Sequence, residues 1–261
     1  MTTTPLELRR PSERVAEVLL ARPEARNAFD GALVAALTET FHALGRDPGL
    51  RVVVLGAHGG VFCAGADLRW MRAMAGATPE ENRTDARALA ELLAALDSCP
   101  VPVVARVQGD CFGGGVGLLA ACDVVVASEA ARFCLSEARL GLVPATIGPY
   151  LVRAIGARAV RRYAVTAERF GAAEAHRLGL VHERCAPEAL DAAVHAIVEA
   201  ITGNGPAAVR GCKRLVGELA GRPITSELRE ETARLIADVR GGPEAREGMA
   251  AFLEGRAPSW R

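Results

Sequence analysis

Three stretches hold the residues whose types and spacing are best suited to chemistry: the glycines of GDCFGGGVG, the glycine loop of VFCAGADL and the carboxyl group of FCLSEARL. Gly113, Gly114 and Gly115 lack a Cβ, so they can take positive φ and let a ligand come close to their N–H groups. The apolar run Leu118 to Ala121 continues them as a helix, which places those donors at a helix N-terminus where negative charge is favoured. A turn that merely lets a helix lie close on a strand would use the same glycines. In VFCAGADL the N–H of Ala66 precedes a helix that Asp67 can help to cap, and it can point at the same atom as the N–H of Gly114. Two such convergent donors stabilise a developing oxyanion by about 3 to 4 kcal/mol each. The pair suits enolate formation on a thioester and still needs an acid or base. Glu137 is the candidate, since a carboxyl group among apolar residues has its pKa raised and can exchange protons near neutrality. A helix-start glutamate following a capping Ser136 remains the competing reading.

The other polar residues carry less. Asp123 reads as a strand-start carboxylate held by loop amides, while Asp110 and Cys111 are weaker candidates for facing the site. His42, His176 and His195 fall on helices and His58 and His182 at strand or loop edges, with no partner evident from sequence. Ser128 and Ser136 have no histidine at nucleophile spacing, which argues against a triad. GDCFGGGVG lacks the G-x-G-x-x-G spacing of a dinucleotide site. No CxxC pair or His/Cys cluster has metal-ligand spacing.

The elements that must position these residues alternate in type. Arg14 to Ala21 and Arg51 to Gly56 read as strands, the second a continuous β-branched run of the kind buried on both faces. Between them Asn27 or Asp30 can cap a helix with Leu33, Leu37, Phe41 and Leu44 on one side. A helix is predicted from Pro79 to Asp97 with Thr78 as N-cap, then strands at Val103 to Val107, Asp123 to Ala127 and Ala131 to Cys134. From Ile147 onward the pattern is helical, broken at Gly203-Asn204-Gly205-Pro206 and Gly241-Gly242-Pro243. The fold class is α/β with repeated ββα or βα units.

The chain of 261 residues is half hydrophobic with a formal net charge of +0. That balance, with no basic run, argues against a nucleic-acid partner. The arginines, against the one lysine Lys213, are scattered among Asp and Glu. The 7 cysteines are widely spaced and mostly in apolar context, as free thiols of a reducing compartment are. MTTTPLELRR has no apolar core and no run approaches the roughly 20 residues of a membrane span, so a cytoplasmic protein without a membrane partner is expected.

In RPEARNAF, FCAGADL, PVPVVARVQGDCFGGG, CDVVVASEAARF, SEARLGLVP and EGMAAFLEGRAP, in this order, the chain resembles the enoyl-CoA hydratase/isomerase superfamily, the crotonase fold. The resemblance implies a spiral of ββα units over residues 1–195 and a C-terminal helical trimerisation region over 196–261, assembled as a homotrimer or a dimer of trimers. It implies an acyl-CoA thioester substrate and no cofactor, coenzyme A being part of the substrate. The oxyanion donors map onto the N–H groups of Ala66 and Gly114, and Ala64, Ala66, Asp67, Leu68, Arg69 and Gly114 onto the substrate-binding positions. Of the two glutamates that hold water in typical hydratases, one maps onto Glu137 and the other falls at Gly117. The glycine-rich PGxGGT segment reads PATIGPY. An enoyl-CoA hydratase is expected, most similar to bacterial methylglutaconyl-CoA and isohexenylglutaconyl-CoA hydratases of leucine or acyclic terpene breakdown. Arg69 or Arg139 would then bind a substrate carboxylate. A Δ3,Δ2-enoyl-CoA isomerase with a single glutamate and a non-catalytic acyl-CoA-binding homologue are the alternatives.

Overall fold

The computed structural model describes residues 5–261; the expectation that the first residues carry no apolar leader rests in part on residues 1–4, outside the described residues. Two compact units divide the chain, Met1–Ile197 and Val198–Arg261.

The first unit opens with β1 (Leu6–Ser12) and β2 (Val15–Leu20), paired antiparallel. Asp30 caps α1 (Gly31–Gly45) by accepting from the Leu33 N–H, and the apolar side chains Leu33, Leu37, Phe41 and Leu44 are buried as their spacing predicts. β3 (Val52–Ala57) is buried at every residue, which is what its unbroken apolar run requires. β4 (Val61–Cys63) follows directly, then α2 (Leu68–Ala75) and α3 (Pro79–Asp97). Thr78 and Glu81 form a reciprocal capping box at the start of α3, and Pro79 sits in its first turn, where a missing N–H is harmless.

The same movement then repeats. β5 (Val103–Val107), β6 (Asp110–Phe112) and α4 (Gly114–Ala121) make one turn. β7 (Val124–Ser128), β8 (Arg132–Cys134) and α5 (Gly148–Thr166) make the next. β9 (Phe170–Gly171), α6 (Ala172–Leu178), β10 (Glu183–Cys185) and the start of α7 (Leu190–Thr202) complete the unit. The long strands form a sheet in the order β1-β2-β3-β5-β7-β10, and the short ones a second sheet in the order β4-β6-β8-β9. β4, β6 and β8 run parallel. Each turn of the spiral therefore adds one strand to each sheet, and the ends of β4, β6 and β8 fall side by side.

Two expectations need correction. Val61–Cys63 and Asp110–Phe112, read as loop and turn, are strands; three residues flanked by glycine give too short a pattern for periodicity to register. The chain after Ile147 is not purely helical either, because β9 closes the small sheet against β8 and β10 joins the large one beside β7.

In the second unit, α8 (Pro206–Leu219), α9 (Ser226–Gly241) and α10 (Pro243–Glu254) follow the remainder of α7. Glu244 accepts from the N–H groups of Ala207 and Ala208 at 2.9 and 2.8 Å, so a residue of α10 satisfies the first amides of α8. Among the described residues no helix is long and apolar enough to cross a membrane.

Candidate active site

Ala66, Gly114 and Glu137 lie just beyond the ends of β4, β6 and β8, so three segments far apart in sequence are gathered at one edge of the small sheet. Loops at the carboxyl ends of neighbouring parallel strands are where α/β folds build ligand sites.

The loop after β4 is pinned from one side. The Phe29 N–H donates to the Gly65 carbonyl at 2.7 Å and the Asp67 N–H to the Phe29 carbonyl at 2.7 Å, an isolated parallel bridge between Phe29 and Ala66. In such a bridge the residue between the two bonded neighbours turns its own amide to the other side. The Ala66 N–H therefore faces away from Phe29. Ala64 donates to the Arg26 carbonyl at 3.0 Å.

Asp67 is occupied within the fold. Its carboxylate caps α2, accepting from the N–H groups of Arg69 at 2.8 Å and Trp70 at 3.4 Å, and it also accepts from the Arg22 guanidinium at 3.0 Å. Burial pushes its pKa up, but the two amides and Arg22 outweigh that and hold the carboxyl below its ordinary value. A ligand here would meet the backbone of Asp67 rather than its charge. Leu68 is 79% exposed and Arg69 is exposed beside it.

Gly113 and Gly114 supply the second edge. Gly113 has φ 52° and ψ −126°, a conformation that L side chains rarely adopt, and it precedes α4 without any side-chain cap. Gly114 is the first residue of α4, so its N–H is one of the donors a helix cannot satisfy internally. A Cβ at Gly113 would stand 3.4 Å from Glu137 Oε1, 3.5 Å from Ser136 Oγ and 3.7 Å from the Cα of Gly65. The three segments thus meet around Gly113.

Glu137 begins a 3-10 turn, Glu137–Leu140, and Ser136 makes no capping bond to it, which removes the reading of an ordinary capped helix start. Its Oε2 is buried with no hydrogen-bond partner. Burial raises its pKa above the usual carboxylate value, opposed in part by its own backbone amide. A carboxyl group in that setting holds its proton more firmly than a solvated one and has an oxygen free to exchange it.

The remaining candidates are drawn elsewhere. Asp110 does not face the site: both its oxygens accept from Arg132, at 2.9 and 2.6 Å. Cys111 is fully buried, and that burial pushes its thiol well above the ordinary range, leaving it inert. Asp123 accepts from the Val103 N–H at 2.8 Å, as a strand-start carboxylate would. The Arg139 guanidinium donates to the Ala167 carbonyl at 2.6 Å, and that of Arg169 lies 5.2 Å from the centre of the Phe112 ring. Three histidines without evident partners have them: His42 lies 3.7 Å from Glu91, His58 lies 2.6 Å from Glu7, and His182 accepts from the Val125 N–H at 3.0 Å.

Gly117 lies inside α4 with no room beside it. A Cβ there would fall 2.1 Å from Cγ2 and 2.7 Å from Cβ of Ile147, so Ile147 fills the space that any side chain at residue 117 would need, the position where the resemblance leads one to expect a glutamate. By type, Ile147, Phe29 and Arg22 suggest no place beside the site. The one available signal for the latter two was the segment RPEARNAF, whose order matches the family but whose residues suggest no chemistry by type.

A spiral of ββα turns that gathers the Ala66 loop, the Gly114 helix start and a carboxyl with one buried, unpartnered oxygen at one sheet edge defines a class of α/β protein. The family model for enoyl-CoA hydratase/isomerase matches residues 10–261, and the chain belongs to that family. A crystal structure from Legionella pneumophila assigned to enoyl CoA hydratase/isomerase (crotonase) is 40% identical, with TM-score 0.95 over 100% of both chains, so the fold is the crotonase fold. Enoyl-CoA hydratase ACTT6 of Alternaria alternata is 35% identical over 242 residues, 91% of this chain and 78% of that protein. Mevalonyl-coenzyme A hydratase sidH of Aspergillus fumigatus is 34% identical over 264 residues, 96% of this chain and 93% of that one.

Proposed function

We propose that this protein is an enoyl-CoA hydratase that adds water across an α,β-unsaturated acyl-CoA thioester. The observation that carries the reading is the buried Glu137 Oε2, unpartnered and adjacent to the backbone of Gly113. Hydratase names borne by relatives along nearly the whole chain support it.

Glu137 as carboxylate takes a proton from water while the water oxygen bonds to C3 of the acyl chain. The C2–C3 π electrons move onto the thioester oxygen, and the N–H groups of Ala66 and Gly114 stabilise the resulting enolate, worth about 3 to 4 kcal/mol per donor. The carboxylic acid formed on Glu137 returns the proton to C2 as the enolate collapses, giving a 3-hydroxyacyl thioester and restoring the carboxylate. One carboxyl group thus acts as base and then as acid. No metal or redox partner enters these steps. The coenzyme A moiety is assigned to the segment Ala64 to Arg69, with the side chain of Asp67 acting as a helix cap. An acyl chain with its own carboxylate, as in methylglutaconyl-CoA, is the finer proposal, with the exposed Arg69 as its counter-charge.

The packing of Ile147 beside Gly117 favours a second reading, a Δ3,Δ2-enoyl-CoA isomerase that moves a proton between C2 and C4 with Glu137 alone. Turnover in oxygen-18 water of 2-enoyl- and 3-enoyl-CoAs, with and without a distal carboxylate, separates them. Label at C3 of a hydroxyacyl product supports the hydratase; double-bond migration without label supports the isomerase and removes the first reading.

A further inference from the structure

We propose that Phe29 is a positioning residue that sets the separation of the Ala66 and Gly114 amides, an inference that rests on the two-donor reading above. Phe29 touches both donors by different means. Its N–H and carbonyl bond the residues on either side of Ala66, each at 2.7 Å, which fixes the direction of the Ala66 N–H. Its ring lies against Gly114, since a Cβ there would stand 3.1 Å from Cε2 and 3.2 Å from Cδ2. The ring is 4% exposed and belongs to the core, so it cannot swing aside without opening a void.

The segment that delivers Phe29 is itself over-determined. Arg26 and Asn27 have φ 52° and 54°, a region non-glycine residues enter at a cost of about 1 to 3 kcal/mol and keep only when their surroundings enforce it. The fully buried Asn27 enforces it: its side chain donates to the carbonyls of His58 and Val61 at 2.9 and 2.8 Å and accepts from the Arg22 N–H at 3.0 Å. Arg22 in turn donates to the Ala28 carbonyl, to Asp30 and to Asp67, so one guanidinium ties the N-caps of α1 and α2 on both sides of Phe29. A backbone held this firmly is more than a core phenylalanine needs, whereas two amides that must converge on one oxygen need it. Misplacement of a reacting group by about 1 Å can cost on the order of 10²-fold in rate.

The test uses 2,4-hexadienoyl-CoA, whose conjugated chromophore shifts to the red when its carbonyl is polarised by hydrogen bonds. It compares wild type, Phe29→Ala and Phe29→Leu, with Phe41→Leu as a variant of equal chemistry in the core of α1. The Phe29 variants are expected to bind the probe within about threefold of wild type, to lose most of the red shift and to drop kcat on the order of 10²-fold with KM little changed. Phe41→Leu is expected to lower thermal stability and leave the red shift intact. Should Phe29→Ala not fold, Phe29→Leu carries the test. A full red shift in the Phe29 variants, or an equal loss in Phe41→Leu, overturns the role of Phe29 alone. A wild-type protein that fails to bind the probe, or binds it without a red shift, overturns the two-donor reading and the role of Phe29 with it.

Discussion

Glu137 is destabilised in the form that acts as a base. Desolvation raises its pKa above 4.5, the value it takes in an unfolded chain, and Oε2 has no donor to relieve the charge. The folded chain therefore binds this proton more tightly than the unfolded one. The stabilising contribution is fully present below the unfolded pKa and is lost as pH rises through the higher folded value. Glu137→Gln, neutral at every pH, is accordingly expected to have a higher thermal midpoint than wild type at pH 8. By pH 4 the difference should fall to near zero. Differential scanning calorimetry at both pH values checks this, and an equal difference at both contradicts it. The desolvated setting of Glu137 was legible in the sequence because a carboxyl among apolar residues is conspicuous by type. Phe29 was not, since nothing in RPEARNAF shows that residue 29 pairs with residue 66.

α4 and α5 meet where Ile147 lies over Gly117, and this contact decides what α4 can carry. A methyl group at Gly117 would overlap Ile147, so Gly117→Ala is expected to cost about 1 to 3 kcal/mol or more by overpacking. Adding Ile147→Ala should restore most of that loss, which denaturant midpoints of the single and double variants would register. Additive losses would show that the two side chains do not compete. The absence of a side chain at residue 117 is thus a packing arrangement shared by α4 and the start of α5, and sequence displays only half of it. At this scale legibility follows length and caps. α3 spans Pro79–Asp97 as its Thr78 cap and leucine stripe predict, whereas β4 and β6 have three residues each and take their strand identity from neighbours in the sheet.

At the scale of the molecule, the first unit is a repeat that sequence announced only through its long strands. The valine-rich runs of β3, β5 and β7 marked the large sheet, while the small sheet, at whose edge the candidate site forms, had to be seen in three dimensions. In the second unit Val216, Ile224, Phe252 and Leu253 are 69 to 85% exposed, more large apolar surface than a solvated helical unit presents without reason. A homotrimer or dimer of trimers is the proposed assembly. Sedimentation at micromolar concentration should give a trimer or hexamer that Phe252→Glu with Leu253→Glu shifts to smaller species, and a wild-type monomer would contradict it. The central claim, that Glu137 performs the proton transfers of hydration, is tested most directly by the turnover of Glu137→Gln on a 2-enoyl-CoA that wild type hydrates. Loss of kcat on the order of 10² to 10⁴-fold with acyl-CoA binding retained is expected, and near-normal formation of the 3-hydroxyacyl product would contradict it.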